Sequence, residues 1–73
     1  MFKFQRIVSG GIKWQDNLYI EDEPIGGIGF DEDGLYIKTK RYLTLKELNL
    51  LIAQLVKGDP RLLDEKVEIT LYK

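Results

Sequence analysis

Apolar residues recur at alternate positions through the first half of the chain. Phe2, Phe4, Val8, Ile12, Trp14, Leu18 and Ile20 fall in one series, and Ile28 and Phe30 continue it. Beyond Asp33 the series changes phase, to Leu35 and Ile37. Alternation of this kind is the signature of strands with one buried face. The phase change requires a turn that inserts one position.

Two five-residue stretches, DNLYI at 16–20 and DGLYI at 33–37, are nearly identical. Nothing else recurs at that spacing, so they read as one structural event occurring twice, an exit from a tight turn into a strand, rather than as a duplicated motif. For the first copy the expected turn is Gln15-Asp16-Asn17, residues that tolerate left-handed backbone. It pairs Trp14 with Leu18, Ile12 with Ile20, Val8 with Pro24, Phe4 with Ile28 and Phe2 with Phe30. For the second copy the expected turn is Asp31-Glu32-Asp33-Gly34, with Gly34 supplying a positive φ. It pairs Phe30 with Leu35 and Ile28 with Ile37. Both turns bring the apolar residues to one side, which a slip of one residue would undo. The reading is a three-stranded antiparallel meander over residues 2–42. Gly10-Gly11, Gly26-Gly27 and Pro24 mark places where long strands bend or bulge. The alternative cuts each long strand in two there.

A different period follows. Leu45, Leu48, Ile52, Leu55 and Val56 form a helical stripe, widened by Leu51. Thr44 and Glu47 have capping-box spacing, with Leu43 placed to staple Leu48. Gly58 and Pro60 terminate the helix near residue 57. Residues 61–65 predict a loop or short helical turn that tucks in Leu62 and Leu63. Val67, Ile69 and Leu71 then alternate with Glu68, Thr70 and Tyr72 as a last strand. The fold class is α+β: a three-stranded β-meander, one α-helix packed on one sheet face, and a C-terminal β-strand (β-β-β-α-β) in a single small domain over residues 1–73. Pattern leaves open which sheet edge receives the last strand.

Composition narrows the chemistry. Seventy-three residues bury only a modest core. Cysteine and histidine are both absent from the sequence, which removes disulfides, thiolate metal sites and the commonest general acid or base. Ser9 is the only serine and has no base near it in sequence. No cofactor, metal site or enzymatic activity is expected. No apolar run is long enough to span a bilayer, and residues 1–11 lack a signal-peptide core. The expected location is cytoplasmic, with no membrane partner. A net charge of −1 argues against strong nucleic-acid binding.

Three features are candidate sites. Glu21, Asp22, Glu23, Asp31, Glu32 and Asp33 form an acidic stretch without an intervening base. A calcium loop starting at Asp31 would need a carboxylate at residue 42, which is Tyr42. The stretch reads as solvated turns and a charged edge, or as an acidic patch for a basic partner. The glycines at 26–29 lack the following helix that a phosphate cradle needs. They read as a thin strand, with Tyr36 covering Gly29 on the outer sheet face. Finally, Tyr36, Lys38, Lys40 and Tyr42 alternate aromatics and cations onto that outer face, shared with Lys3, Lys13 and Tyr19 and with Ile7 opposite Ile25. Glu21 and Glu23 are placed there too. An apolar, tyrosine-rich strip on an uncovered sheet suggests a protein interface.

The expectation is a small non-catalytic protein-binding module, an inhibitor, adaptor or regulatory subunit of the size that phages and mobile elements often encode. It would act through Ile7, Tyr19, Ile25, Tyr36, Lys38, Lys40 and Tyr42, or through the acidic turns. The alternatives are a single-stranded nucleic-acid or anionic-ligand binder using Tyr36, Lys38, Lys40 and Tyr42, and a self-assembling structural subunit, that is, a homo-oligomer.

Overall fold

A computed structural model describes residues 1–71. Five strands and one helix follow in the order β1 (Phe2–Gly10), β2 (Lys13–Ile20), β3 (Glu23–Asp31), β4 (Gly34–Thr39), α1 (Leu45–Gly58) and β5 (Val67–Leu71), with a 3-10 turn at Pro60–Asp64 before β5. The strands form one sheet in the order β1-β2-β3-β4-β5. β1 to β4 are an antiparallel meander, and β5 runs parallel to β4 after the helical crossover. The α+β class and the order meander, helix, strand are as the sequence predicts.

The meander has four strands, not three. The expected turn at residues 15–17 does not exist: Asp16 lies in the middle of β2, opposite Arg6 on β1 and Ile28 on β3. The chain reverses at Gly11 and Ile12, and again at Glu21 and Asp22. Gly11 and Glu21 have positive φ, 60° and 55°. Cutting the first long strand at Gly10-Gly11 was therefore the correct alternative, whereas the second break lies at Glu21-Asp22. Every pairing expected from the first turn is replaced. Phe2 faces Ile20, Phe4 faces Leu18 and Trp14 faces Phe30.

The predicted common face nevertheless survives. The observed pairings in the well-formed parts of β1–β2 and β2–β3 match even-numbered residues with even-numbered residues, as the wrong turn also did. Side-chain direction depends on that parity and not on where the turn falls. The second turn is as predicted, with Phe30 opposite Leu35 and Ile28 opposite Ile37.

Two bulges break the rule. One lies between Arg6 and Val8 on β1. The other leaves Ile25 as an extra residue, because Leu18 faces Gly26 while Tyr19 faces Pro24. Gly26 there has φ 153°, and a Cβ on it would come 1.8 Å from the Lys38 carbonyl oxygen. β3 and β4 can approach this closely only where the side chain is absent.

The core comprises Phe2, Leu18, Ile25, Ile28, Leu35, Ile37 and Leu51, with Phe4, Trp14, Phe30, Leu43, Leu55 and Leu62 packed against it. Trp14 and Phe30 stack with ring centroids 6.4 Å apart. Asp16 is buried on the same face and paired with Arg6. Arg6 in turn lies 5.0 Å from the Trp14 ring centroid. The carboxylate thus keeps a cationic partner where it leaves water.

The helix starts where the sequence places it. The Thr44 hydroxyl accepts from the Glu47 N–H at 3.0 Å, and the Glu47 carboxylate accepts from the Thr44 N–H at 2.9 Å. Arg41 adds a two-pronged pair to Glu47, at 3.2 and 2.9 Å. Its buried line is rotated from the predicted stripe. Leu51 is fully buried at its centre, whereas Leu45 is 79% exposed and Ile52 45% exposed. The cause is Gln54. Its side-chain amide bonds both the N–H and the C=O of Phe2, at 2.9 and 3.0 Å, and so ties one flank of α1 to the β1 edge. Leu63 is also exposed, contrary to expectation, because the 3-10 turn directs Leu62 alone toward the core.

β5 takes the β4 edge. Val67, Ile69 and Leu71 lie opposite Leu35, Ile37 and Thr39 and so point to the helix side, as the alternation predicts. Tyr72 lies outside the described residues.

Candidate interaction surface

β-strand alternation leaves the odd-numbered residues of β2, Gly27 and Gly29 of β3 beyond its bulge, and Lys3, Gln5, Tyr36 and Lys38, on the sheet face away from α1. No helix covers this face among the described residues. At its centre Tyr36 lies opposite Gly29, and its ring occupies the space a side chain on Gly29 would take. A Cβ there would sit 2.1 Å from the Tyr36 Cζ. The aromatic ring is thereby laid flat against bare β3 backbone, as the sequence predicts. Lys38 holds its ammonium 5.7 Å from the centroid of that ring, within cation–π range.

Two depressions lie on this face, the first against the Tyr36 ring. One, of about 420 Å³, is bordered by Asp31, Asp33, Tyr36, Lys38, Lys66 and Glu68 among others. The second, of about 310 Å³, is lined by Gln15, Asn17, Tyr19, Pro24, Gly27 and Lys40 among others. Tyr19 is held in place by its hydroxyl, which donates to the Gln5 Oε1 at 3.1 Å. The same oxygen accepts from the Asn17 amide at 3.3 Å. Tyr19, Tyr36, Lys38 and Lys40 therefore belong to one face.

The other three expected members do not join them. Ile25 is the extra residue of the β3 bulge and is 1% exposed in the core, so it is unavailable to any partner. Ile7 sits half-exposed at the β1 bulge and faces no isoleucine. β4 ends at Thr39, so Tyr42 leaves the sheet and stands 83% exposed in the connection to α1. Nor do Glu21 and Glu23 share the outer face: Glu21 is in a turn, and Glu23 pairs with Ile20, which points to the helix side.

The acidic residues do not form one patch. Glu21, Asp22 and Glu23 lie at one end of β3, and Asp31, Glu32 and Asp33 at the other. Nine residues of strand separate the ends by roughly 26 Å. Each group is also partly neutralised. Lys3 pairs with Asp22 at 3.3 Å, and Lys13 with Glu32 at 3.0 Å. The hydrogen bond from Lys13 holds the Glu32 carboxyl below its ordinary range, and Glu32 raises the Lys13 ammonium in return. Lys3 and Lys13, both assigned to the outer face, are thus engaged by carboxylates. No group of three acidic side chains that could hold a metal ion exists among the described residues, and no helix there is long and apolar enough to cross a membrane.

Sequence reasoning missed a further concavity, of about 540 Å³, on the helix side. Ile12, Trp14, Phe30 and Leu62 line it beside the Asp59–Arg61 ion pair. It arises because the 3-10 turn closes over the end of the β1–β2 hairpin, a juxtaposition that the misplaced first turn concealed.

Compared with known proteins, the chain matches no family model, no curated protein and no solved structure.

Proposed function

We propose that the protein is a small non-catalytic binding module, working in the cytoplasm, that occupies a partner protein with its outer sheet face. The observation that carries this reading is the seating of Tyr36 on Gly29 at the centre of an uncovered sheet. Binding hot spots favour aromatic side chains that lose little freedom on docking, surrounded by a polar rim. Tyr36 is already immobilised by its neighbours, Tyr19 is held by Gln5, and Lys38 and Lys40 supply the rim. The partner that fits presents an apolar protrusion edged by carboxylates.

The test compares the full-length protein with Tyr36→Ala and Tyr19→Ala, each checked for unchanged melting temperature, as baits in affinity capture from the source cells. A protein retained by the wild type at 0.5 M salt and lost from both variants supports the reading. Equal capture by all three overturns it. A parallel gel shift with single-stranded oligonucleotides at low salt addresses the anionic-ligand alternative, and a Tyr36-dependent shift would give this face to that ligand instead.

A further inference from the structure

β5 is an edge strand, and no further strand pairs with it among the described residues. The Lys66 carbonyl accepts from the Leu35 N–H at 2.8 Å. In a strand the N–H and C=O of one residue point the same way and neighbours alternate. Val67, Ile69 and Leu71 therefore aim their backbone groups at the open edge. The same residues carry the side chains that face the helix side, and Val67 and Ile69 are 51% and 57% exposed there. Across from them stands the flank of α1 turned away from Gln54. Helix geometry puts Leu45 and Ile52 on it, roughly opposite Gln54. An open backbone row and exposed apolar side chains thus share one border of the molecule. The other edge is blunted by the β1 bulge and by Lys3 and Arg6.

The molecule as a whole exposes more surface than a compact monomer of its mass. The accessible surface is 5380 Å² for a chain of 8.5 kDa. Compact monomers of that mass expose about 4,700 Å². The surplus over the whole molecule, about 700 Å² by that scaling, is of the order of the ~800 Å² that each partner of a stable complex buries.

We infer that this border receives a second copy of the chain, β5 pairing antiparallel with β5 about a two-fold axis at Ile69. That register sets Val67 against Leu71 of the second copy and Ile69 against its equivalent, so both apolar rows lie under the two helices. It also sets Glu68 against Thr70 of the second copy. A two-fold axis at Glu68 would instead oppose two carboxylates directly, which is unfavourable. Isologous pairing of this kind closes on itself and adds no further copies. Of the outer face described above, only the Lys66–Glu68 margin of the larger depression adjoins this border, while Tyr19, Tyr36 and Lys40 do not, so different variants test the two readings.

The test uses the full-length protein, first in sedimentation equilibrium from 1 to 500 μM. A dimer is expected, and a wild-type monomer throughout that range overturns the proposal. Ile69→Lys and Leu45→Glu, both at exposed positions, should shift the dimer to monomer at least tenfold while circular dichroism is unchanged. Leu50→Glu, on the opposite helix flank, should leave it intact. A dimer indifferent to Ile69→Lys overturns the proposal. The axis itself is read with cysteines, since the chain has none of its own. Hydrogen-bonded antiparallel pairs hold Cα atoms about 5.5 Å apart, within disulfide reach. Ile69→Cys should crosslink to itself under mild oxidation, and Val67→Cys should crosslink only when mixed with Leu71→Cys. Self-crosslinking of Val67→Cys, with none by Ile69→Cys, would refute the axis.

Discussion

Gln54 of α1 hydrogen-bonds both backbone polar groups of Phe2, 52 residues away in sequence, at 2.9 and 3.0 Å. One side-chain amide does at this sheet edge what a neighbouring strand would do. It also fixes the rotation of the helix and therefore decides which leucines are buried. Gln54→Ala removes both bonds and frees that rotation. The expected loss is about 1–3 kcal/mol, measured by urea unfolding, with Leu45 becoming more protected as the helix rolls. An unchanged midpoint would show that the pair does not hold the helix.

The seat under Tyr36 predicts a separation of binding from folding. A methyl at Gly29 meets the far end of the Tyr36 ring rather than backbone. Gly29→Ala therefore lifts the ring at modest cost, about 1 kcal/mol or less. Partner capture should fall nearly as far as it does for Tyr36→Ala, with the melting temperature within a few degrees of wild type. Tyrosine fluorescence anisotropy reports the released ring.

Gly26 predicts the opposite outcome. A Cβ there meets the Lys38 carbonyl carbon and oxygen, which are backbone and cannot swing aside. Gly26→Ala should cost on the order of 3 kcal/mol or more and should populate the unfolded chain at 37 °C. A variant with wild-type stability would mean the bulge tolerates a side chain.

The capping box predicts a pH limb. The Arg41 guanidinium and then the Thr44 N–H hold the Glu47 carboxyl down to about 2, from 4.5. A depressed folded pKa contributes stability above the unfolded value and loses it as pH falls through the folded one. This contribution is complete above about pH 5 and drains away between there and pH 2. Glu47→Gln should flatten that limb in pH-resolved thermal melts while leaving the slope at neutral pH unchanged. An acid limb identical in both proteins would place the titration elsewhere.

How much of this was legible in the sequence divides by the range of the interaction. The capping box and the second turn depend on residues a few positions apart, and both were readable. The common apolar face was readable for a deeper reason. Phe4, Trp14, Ile28 and Ile37 share it by parity, so it survived misplacement of the first turn to Asp16. That misplacement arose because Asp and Asn carry turn preference, while burial of Asp16 depends on Arg6 and the Trp14 ring, a tertiary pairing. Ile25 was assigned to the wrong face because one bulge reverses parity locally, and only the close approach of Gly26 to Lys38 reveals it. The helix stripe was rotated because Gln54, polar and unremarkable in pattern, finds its partner across the whole chain. Of the outer face, Tyr36, Tyr19, Lys38 and Lys40 were legible, since alternation suffices for them. Tyr42 was not, because nothing in YIKTKRY announces that the strand stops at Thr39.

The order of strands carries a kinetic consequence. β1 to β4 each pair with the next strand along the chain, so every closure in the meander is short. β5 alone must wait for the entire helical segment to be traversed before it meets β4. Loop entropy makes such a distant pairing the last to form and the first to open. The border proposed to receive a second copy is thus the last to assemble, forming only after the meander offers β4 as a template.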